Sequence, residues 1–326
     1  MLLATALLVI GLVLLVYGAD RLVFSAAILC RSLGVPPIII GMTIVGIGTS
    51  LPELIVSFTA ATHGQMDMAV GTAMGSNITN ILLILGGAAL LHPLTVHSRL
   101  VRRELPLMLL VTLLCGVMLV DNQLSRGDGV ALVVIALLYL LYIIRIARRA
   151  EQNNNDTLTR EQVAELPRDD AGNTVAFLWL AVALIILPMS TRMVIDNASV
   201  IADYLGVSEL VIGLTIISVG TSLPELATVI AGALKGEDDI AIGNLIGSNI
   251  YNIAIVLGLP ALFQPGSLDS AAFARDYWIM LGVSALFMLI CLQRSRRIGR
   301  IKGAILLVGF VVWIAVLYLE PLYLIG

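Results

Sequence analysis

One heptapeptide occurs twice in this chain. Gly-Thr-Ser-Leu-Pro-Glu-Leu occupies residues 48–54 and returns at residues 220–226, each copy inside a long apolar stretch. Aligning residues 40–89 with residues 212–261 at a constant offset of 172 gives 25 identities in 50 positions without a gap, which marks an internal duplication. A second motif, Gly-Ser-Asn-Ile-x-Asn, recurs in the same register from Gly75 to Asn80 and from Gly247 to Asn252. Any fold for this chain must place two copies of one design.

The copies belong in a bilayer. With 326 residues, 59% hydrophobic, 13% charged and a mean hydropathy of +1.01, the chain is too apolar for a soluble protein of its length. A membrane span needs about 20 mostly apolar residues. Ten segments meet that measure: 3–28, 37–61, 67–91, 104–120, 128–146, 174–201, 209–234, 239–263, 276–293 and 302–323. The first lacks a basic leader region and reads as a retained span. The expected fold is therefore an all-α membrane protein of two five-helix repeats, residues 1–147 and 174–326, joined by a polar cytoplasmic linker over 148–173.

Charge placement sets the orientation. Fifteen of the 19 Lys and Arg residues fall in one alternating set of connections, among them Arg99, Arg102, Arg103, Arg148, Arg149, Lys235, Arg294, Arg296 and Arg297. The opposite set holds only Arg126 and Arg275, so the first set is expected in the cytoplasm and both termini outside it. Five spans per half is an odd number, which turns the second copy upside down relative to the first. Inverted repeats place a binding site near the midplane where the halves meet.

The motifs supply the chemistry for such a site. Pro52 and Pro224 interrupt two predicted spans, and flexible Gly48 and Gly220 make local unwinding less costly. Unwound backbone at membrane depth persists only where it is buried in protein or lines a polar cavity. Glu53 and Glu225 follow the prolines directly, and a carboxylate at that depth needs a partner or a task. No Lys or Arg lies between residues 32 and 98, so the balancing charge is a proton or a bound cation. Thr49, Ser50, Thr221 and Ser222 add hydroxyl and carbonyl oxygens beside the glutamates, while Ser76, Asn77, Asn80, Ser248, Asn249 and Asn252 add hydroxyl and amide oxygens. Every donor is oxygen, and neither motif holds His or Cys, which points to a hard cation such as calcium rather than zinc or copper. Gly71, Gly75, Gly243 and Gly247, at four-residue spacing, are expected to let helices approach closely. Cys30, Cys115 and Cys291 read as small apolar packing residues, and His63, His92 and His97 as solvated loop positions. Asp20 and Asp196 either line access paths or pair with Arg21 and Arg192.

Two copies of Gly-Thr-Ser-Leu-Pro-Glu with Gly-Ser-Asn-Ile-x-Asn resemble the alpha repeats of the calcium/cation antiporter superfamily, and within it the prokaryotic sodium/calcium exchangers. The resemblance covers essentially the whole chain. It implies a multi-pass protein of the cell (inner) membrane, with one calcium site and several sodium sites and no resident cofactor. By position, Glu53 and Glu225 resemble carboxylates shared by calcium and sodium, and Thr49 and Thr221 the carbonyl donors to calcium. Ser50, Ser76, Ser222 and Ser248, with the backbone at Gly46 and Ser218, resemble sodium ligands, and Asn80 the central amide. The chain departs from many such exchangers at Asn252, where they carry Asp.

The function expected on this footing is antiport of Na+ against Ca2+ by a monomer in the lipid bilayer, the ions competing for the glutamate pair. H+ or K+ are alternative coupling ions, and a Ca2+/H+ antiporter is the nearest rival. An intramembrane hydrolase using Ser50 or Ser222 is disfavoured because neither motif places a histidine or lysine base beside the serine. A channel or passive scaffold is the third reading, and nothing suggests nucleic acid as a partner.

Overall fold

The computed structural model describes residues 1–32, 46–96, 103–153, 172–235, 238–293 and 296–323. In chain order, α1 (Leu2–Ser32) is followed by a single turn at Gly46–Gly48 and by α2 (Leu51–Thr62). Next come α3 (Met66–Leu91), α4 (Leu105–Leu119), α5 (Arg126–Asn153), α6 (Asn173–Leu205) and α7 (Glu209–Thr221). α8 spans Leu223–Lys235. α9 opens as Asp238–Tyr251 and continues through Asn252–Leu257 into Gly258–Phe263; α10 (Ala272–Leu292) and α11 (Arg300–Tyr323) complete the helices.

Among the described residues, seven helices are long and apolar enough to cross a membrane, eight if α7 and α8 are one span bent by 44°. The expected span at 209–234 is that bent pair. The span expected at 104–120 is the 15-residue α4, and the one at 37–61 is represented by α2, its first part lying outside the described residues. The polar linker begins later than expected, because α5 carries the helix through Arg148 to Asn153; residues 154–171 lie outside the described residues.

The helices form a core and a periphery. At 1.5 Å per residue, α1 with 31 residues and α6 with 33 each exceed the hydrocarbon thickness of about 30 Å. They pack along one another, with Gly11 against Val194 and Ser190 and Gly18 against Leu187. Their outer faces leave Val9, Ile10, Ile185 and Met189 exposed, a surface suited to lipid.

In contrast, α3 and α9 are enclosed by protein, and α3 crosses α7 backbone to backbone. A Cβ on Gly71 would lie 2.5 Å from the Leu210 carbonyl oxygen, and one on Gly75 would overlap the Leu214 backbone. Gly213 returns the contact, its own Cβ position falling 2.5 Å from the Met68 carbonyl oxygen. The four-residue glycine spacing therefore does what the sequence suggests on α3. On α9 the same spacing has a different outcome, since a Cβ on Gly247 meets only the Tyr139 hydroxyl at 3.8 Å.

Two short antiparallel ribbons tie the ends together. β1 (Leu94–Thr95) pairs with β4 (Arg297–Ile298), and β2 (Gln123–Leu124) with β3 (Gly266–Ser267). Each ribbon joins a connection of the first half to one of the second, and in each case both lie in the same charge-defined set. Asp67 Oδ1 accepts from the Asp269 amide at 2.8 Å, and Asp238 Oδ2 from the Thr95 amide at 2.8 Å, reinforcing the two clasps.

Gly75→Val is expected to destabilise the protein by about 1–3 kcal/mol through overpacking against rigid backbone, whereas Gly247→Ala melts close to the wild type. Thermal melting of the purified variants in detergent measures both.

Candidate functional site

The signature residues sit where helices start again after a break. Ser50 leaves the helical region at φ −87° and ψ 9°, and Ser222 does so at φ −81° and ψ 12°. Helix resumes at once, with the Leu54 amide donating to Ser50 O and the Leu226 amide to Ser222 O. Pro52 and Pro224 thus occupy first turns, where a missing N–H removes no helical bond. Each proline thus lies at the start of a new helical segment rather than in the middle of a continuous helix. Glu53 and Glu225 fall in the same first turns, where the positive end of the helix dipole favours an anionic side chain.

Both glutamates are fully buried. They are cross-linked in reciprocal fashion: Ser222 Oγ donates to Glu53 Oε1 at 2.9 Å, and Ser50 Oγ donates to Glu225 Oε1 at 3.0 Å. Each half therefore supplies the hydroxyl that holds the other half's carboxylate. Ser248 Oγ reaches Glu225 Oε1 at 3.5 Å, while the Thr221 hydroxyl donates to Ser218 O at 3.3 Å and Ser76 Oγ is buried with no hydrogen-bond partner among the described residues. The carboxylates are close enough to repel each other, and each keeps Oε2 buried without a hydrogen bond. Among the described residues no Lys or Arg is paired with either.

The asparagines of the second motif pack against one another on α3 and α9. Asn80 Nδ2 donates to Asn249 Oδ1 at 2.9 Å, and Asn77 Nδ2 to the Asn249 carbonyl at 3.2 Å. Two methionines contact these amides: Met280 Sδ lies 3.6 Å from Asn77 Nδ2 and Met108 Sδ 3.7 Å from Asn249 Nδ2. Asn80 and Asn252 each open a π-helical turn, Asn80–Leu85 and Asn252–Leu257, an irregularity common at functional positions. The side-chain oxygens of Asn77, Asn80 and Asn252 are buried without a hydrogen-bond donor.

The other expected residues divide. Ser218 is buried, its hydroxyl donating back to Leu214 O and Thr215 O and its carbonyl accepting from the Ser222 amide at 3.0 Å and the Thr221 hydroxyl at 3.3 Å, and Gly46 opens the turn ahead of Ser50. Asp20 pairs with Arg21 at 2.5 Å, and the Arg21 guanidinium also covers the rings of Tyr17, Phe24 and Trp179. Asp20 nonetheless lines a cavity of about 550 Å³ that also touches Tyr17, Gly48, Thr49, Leu223, Pro224 and Thr228. Asp20 is therefore ion-paired and borders a cavity at the same time. At the position equivalent to Gly48, Gly220 is instead capped by Leu12, 2.5 Å from where its Cβ would be. Cys115 and Cys291 are buried and unbridged, while His63 is exposed and His92 is 3.9 Å from Asp238; His97 lies outside the described residues. Met108 and Met280 were not anticipated. Their separation of 172 was available as a signal, but both fall outside the fifty-residue block of high identity.

Long apolar helices around a buried, oxygen-lined pair of carboxylates define a multi-pass membrane transport protein. The chain belongs to the sodium/calcium exchanger family, described as sodium/calcium exchanger protein, whose profile matches residues 3–145 and 175–319. It is 63% identical over 323 residues to inner membrane protein YrbG of Escherichia coli (strain K12), covering 99% of each chain. It is 32% identical over 342 residues to sodium/calcium exchanger MaX1 of Methanosarcina acetivorans, covering 96% of this chain and 97% of the relative. Among solved structures, the sodium-calcium exchanger NCX_Mj soaked with Na+ and Sr2+ matches at a TM-score of 0.63 and 29% identity, over 97% of this chain and 98% of that one.

The reciprocal hydrogen bonds make a direct prediction about stability. In metal-depleted buffer Glu53→Gln is expected to melt no lower than the wild type, because it removes a buried charge and keeps an oxygen for Ser222. Ser222→Ala strips that oxygen of its donor and is expected to cost about 1.5–3 kcal/mol; melting curves of the two variants in one buffer compare them.

Proposed function

We propose that the protein exchanges Na+ for Ca2+ across the cell membrane by alternating access, the ions competing for Glu53 and Glu225. One observation carries the reading: two fully buried carboxylates with free Oε2 atoms and no described cationic side chain beside them. In a low-dielectric interior such a pair requires an external positive charge. Oxygens from Thr49, Ser50, Ser76, Asn80 and their second-half counterparts Thr221, Ser222, Ser248 and Asn252 would complete the shell that a calcium ion of six to eight ligands needs. The names of MaX1, a sodium/calcium exchanger, and of NCX_Mj, a sodium-calcium exchanger, support the same ion pair.

The mechanism follows from competition at one site. An ion bound by both halves can be released only by exchange if the empty, doubly charged site is costly to close. The reading takes the chain as ten spans in two inverted halves, 1–147 and 174–326, with both termini outside the cytoplasm. The two ribbons support it, since each joins connections assigned to one side. The cavity beside Asp20, Thr49 and Pro224 then approaches from the cytoplasmic side, and Leu12 on Gly220 covers the opposite approach.

Charge balance limits the stoichiometry. With Asn252 where many exchangers of this kind have Asp, the site carries two formal negative charges, balanced by one Ca2+, two Na+ or two H+. That equality also favours the Ca2+/H+ reading as the rival. Isotopic calcium uptake into proteoliposomes, with sodium, potassium or pH gradients imposed one at a time, separates the two. The sodium gradient is expected to drive uptake, with loss of transport in Glu53→Gln and Glu225→Gln. Uptake indifferent to sodium but driven by a pH jump assigns the proton as coupling ion, and uptake indifferent to every gradient overturns antiport. Asn252→Asp adds a third charge and is expected to steepen the sodium dependence of exchange, read as a higher Hill coefficient in the same assay.

A further inference from the structure

Resting on the antiport reading, we propose that Met108 and Asn249 are positioning residues that hold the Asn80 carboxamide with its oxygen, not its nitrogen, turned toward the cation. A carboxamide is nearly symmetric in shape, so packing alone does not decide which end faces the ion; hydrogen-bond polarity must. Asn80 Nδ2 is committed to Asn249 Oδ1 at 2.9 Å, which leaves Asn80 Oδ1 buried and without a donor. That arrangement depends on Asn249 presenting oxygen rather than nitrogen to Asn80. Asn249 Nδ2 lies 3.7 Å from Met108 Sδ, and a thioether accepts hydrogen bonds but cannot donate them. The sulfur therefore favours one polarity for Asn249, and Asn249 imposes it on Asn80. Reversing the first amide would set two NH2 groups, or two carbonyls, against each other.

The second half contains an internal comparison. Met280, 172 residues after Met108, stands in the same way by Asn77, its sulfur 3.6 Å from Asn77 Nδ2. Here the relay stops. Asn77 Nδ2 is already fixed by the Asn249 carbonyl at 3.2 Å, and neither amide atom of Asn252 has a partner among the described residues. Met280 consequently orients an amide that a backbone carbonyl orients as well, while Met108 is the only described acceptor for Asn249 Nδ2. Ordinary gap filling is the alternative role for a buried methionine, and it predicts no difference between the two.

The test is equilibrium Ca2+ titration of purified full-length protein in detergent, with melting curves in metal-free buffer. Met108→Leu conserves volume and removes only the acceptor. It is expected to weaken Ca2+ binding about three- to tenfold, to leave the metal-free melting temperature near that of the wild type, and to have a larger effect than Met280→Leu. In an Asn80→Ala background Met108→Leu is expected to add no further loss. Wild-type affinity in Met108→Leu overturns the relay, as does an equal loss with and without Asn80 or an equal loss in Met280→Leu. Wild-type protein that binds Ca2+ yet shows no gradient-driven flux overturns antiport and leaves the relay standing; wild-type protein that binds no Ca2+ overturns both.

Discussion

Two acidic side chains buried together, with no described cationic partner, are the constraint to which the rest of the structure answers. Taking a carboxylate out of water costs several kcal/mol even after relaxation, and a second like charge nearby adds to that cost. The fold reduces the cost as far as uncharged groups can. Each glutamate sits in the first turn of a helix and accepts a serine hydroxyl from the opposite half, and Glu225 is also reached by Ser248 Oγ. These donors stabilise the charge without cancelling it. On the antiport reading, the residual deficit is what a bound ion would offset.

Placing helix ends at that depth imposes conditions on the packing. The breaks at Ser50 and Ser222 leave backbone groups that lipid cannot satisfy, so the segments around them must be enclosed by protein. The enclosure comes from α3 and α9, which carry the serines and asparagines of the second motif and are themselves almost wholly buried. Close approach of α3 to α7 then requires bare backbone on both sides, which Gly71, Gly75 and Gly213 provide. The long pair α1 and α6 lies at the periphery with apolar side chains outward. The apolar majority of the sequence thus serves to hold a small polar interior away from water and lipid alike.

How much of this was legible beforehand depended on how local the signal was. The buried carboxylates, the helix breaks and the glycine contacts of α3 could all be read, because each is a violation of membrane composition written into consecutive residues. The reciprocity of the serine bonds was not legible: Ser50 and Ser222 were visible as oxygen donors, but their reach across to the opposite glutamate depends on how the halves dock. The methionines were missed for a related reason, since a methionine in an apolar helix carries no polar signature until a buried amide stands against it. Gly247 shows the converse, a spacing shared with Gly75 whose consequence differs because its neighbour is Tyr139 rather than a backbone. The length of α5 past Arg148 was also hidden, because a polar composition does not by itself end a helix that has already formed.

A duplicated protein at rest has one further problem, which is that equal halves would give an intermediate rather than a choice of states. The structure departs from equivalence in two places. Gly48 borders a cavity while Gly220 is covered by Leu12, and Leu184, 172 residues after Leu12, is exposed. Among the amides Asn80 bonds Asn249, whereas the matching pair, Asn252 and Asn77, is not joined. Both departures are exchanges of contacts that the other half could make with the same residue types. On the antiport reading, near-identity of the motifs keeps the two arrangements close in energy, so that the charge bound between the glutamates, a few kcal/mol of differential interaction, is enough to shift the balance.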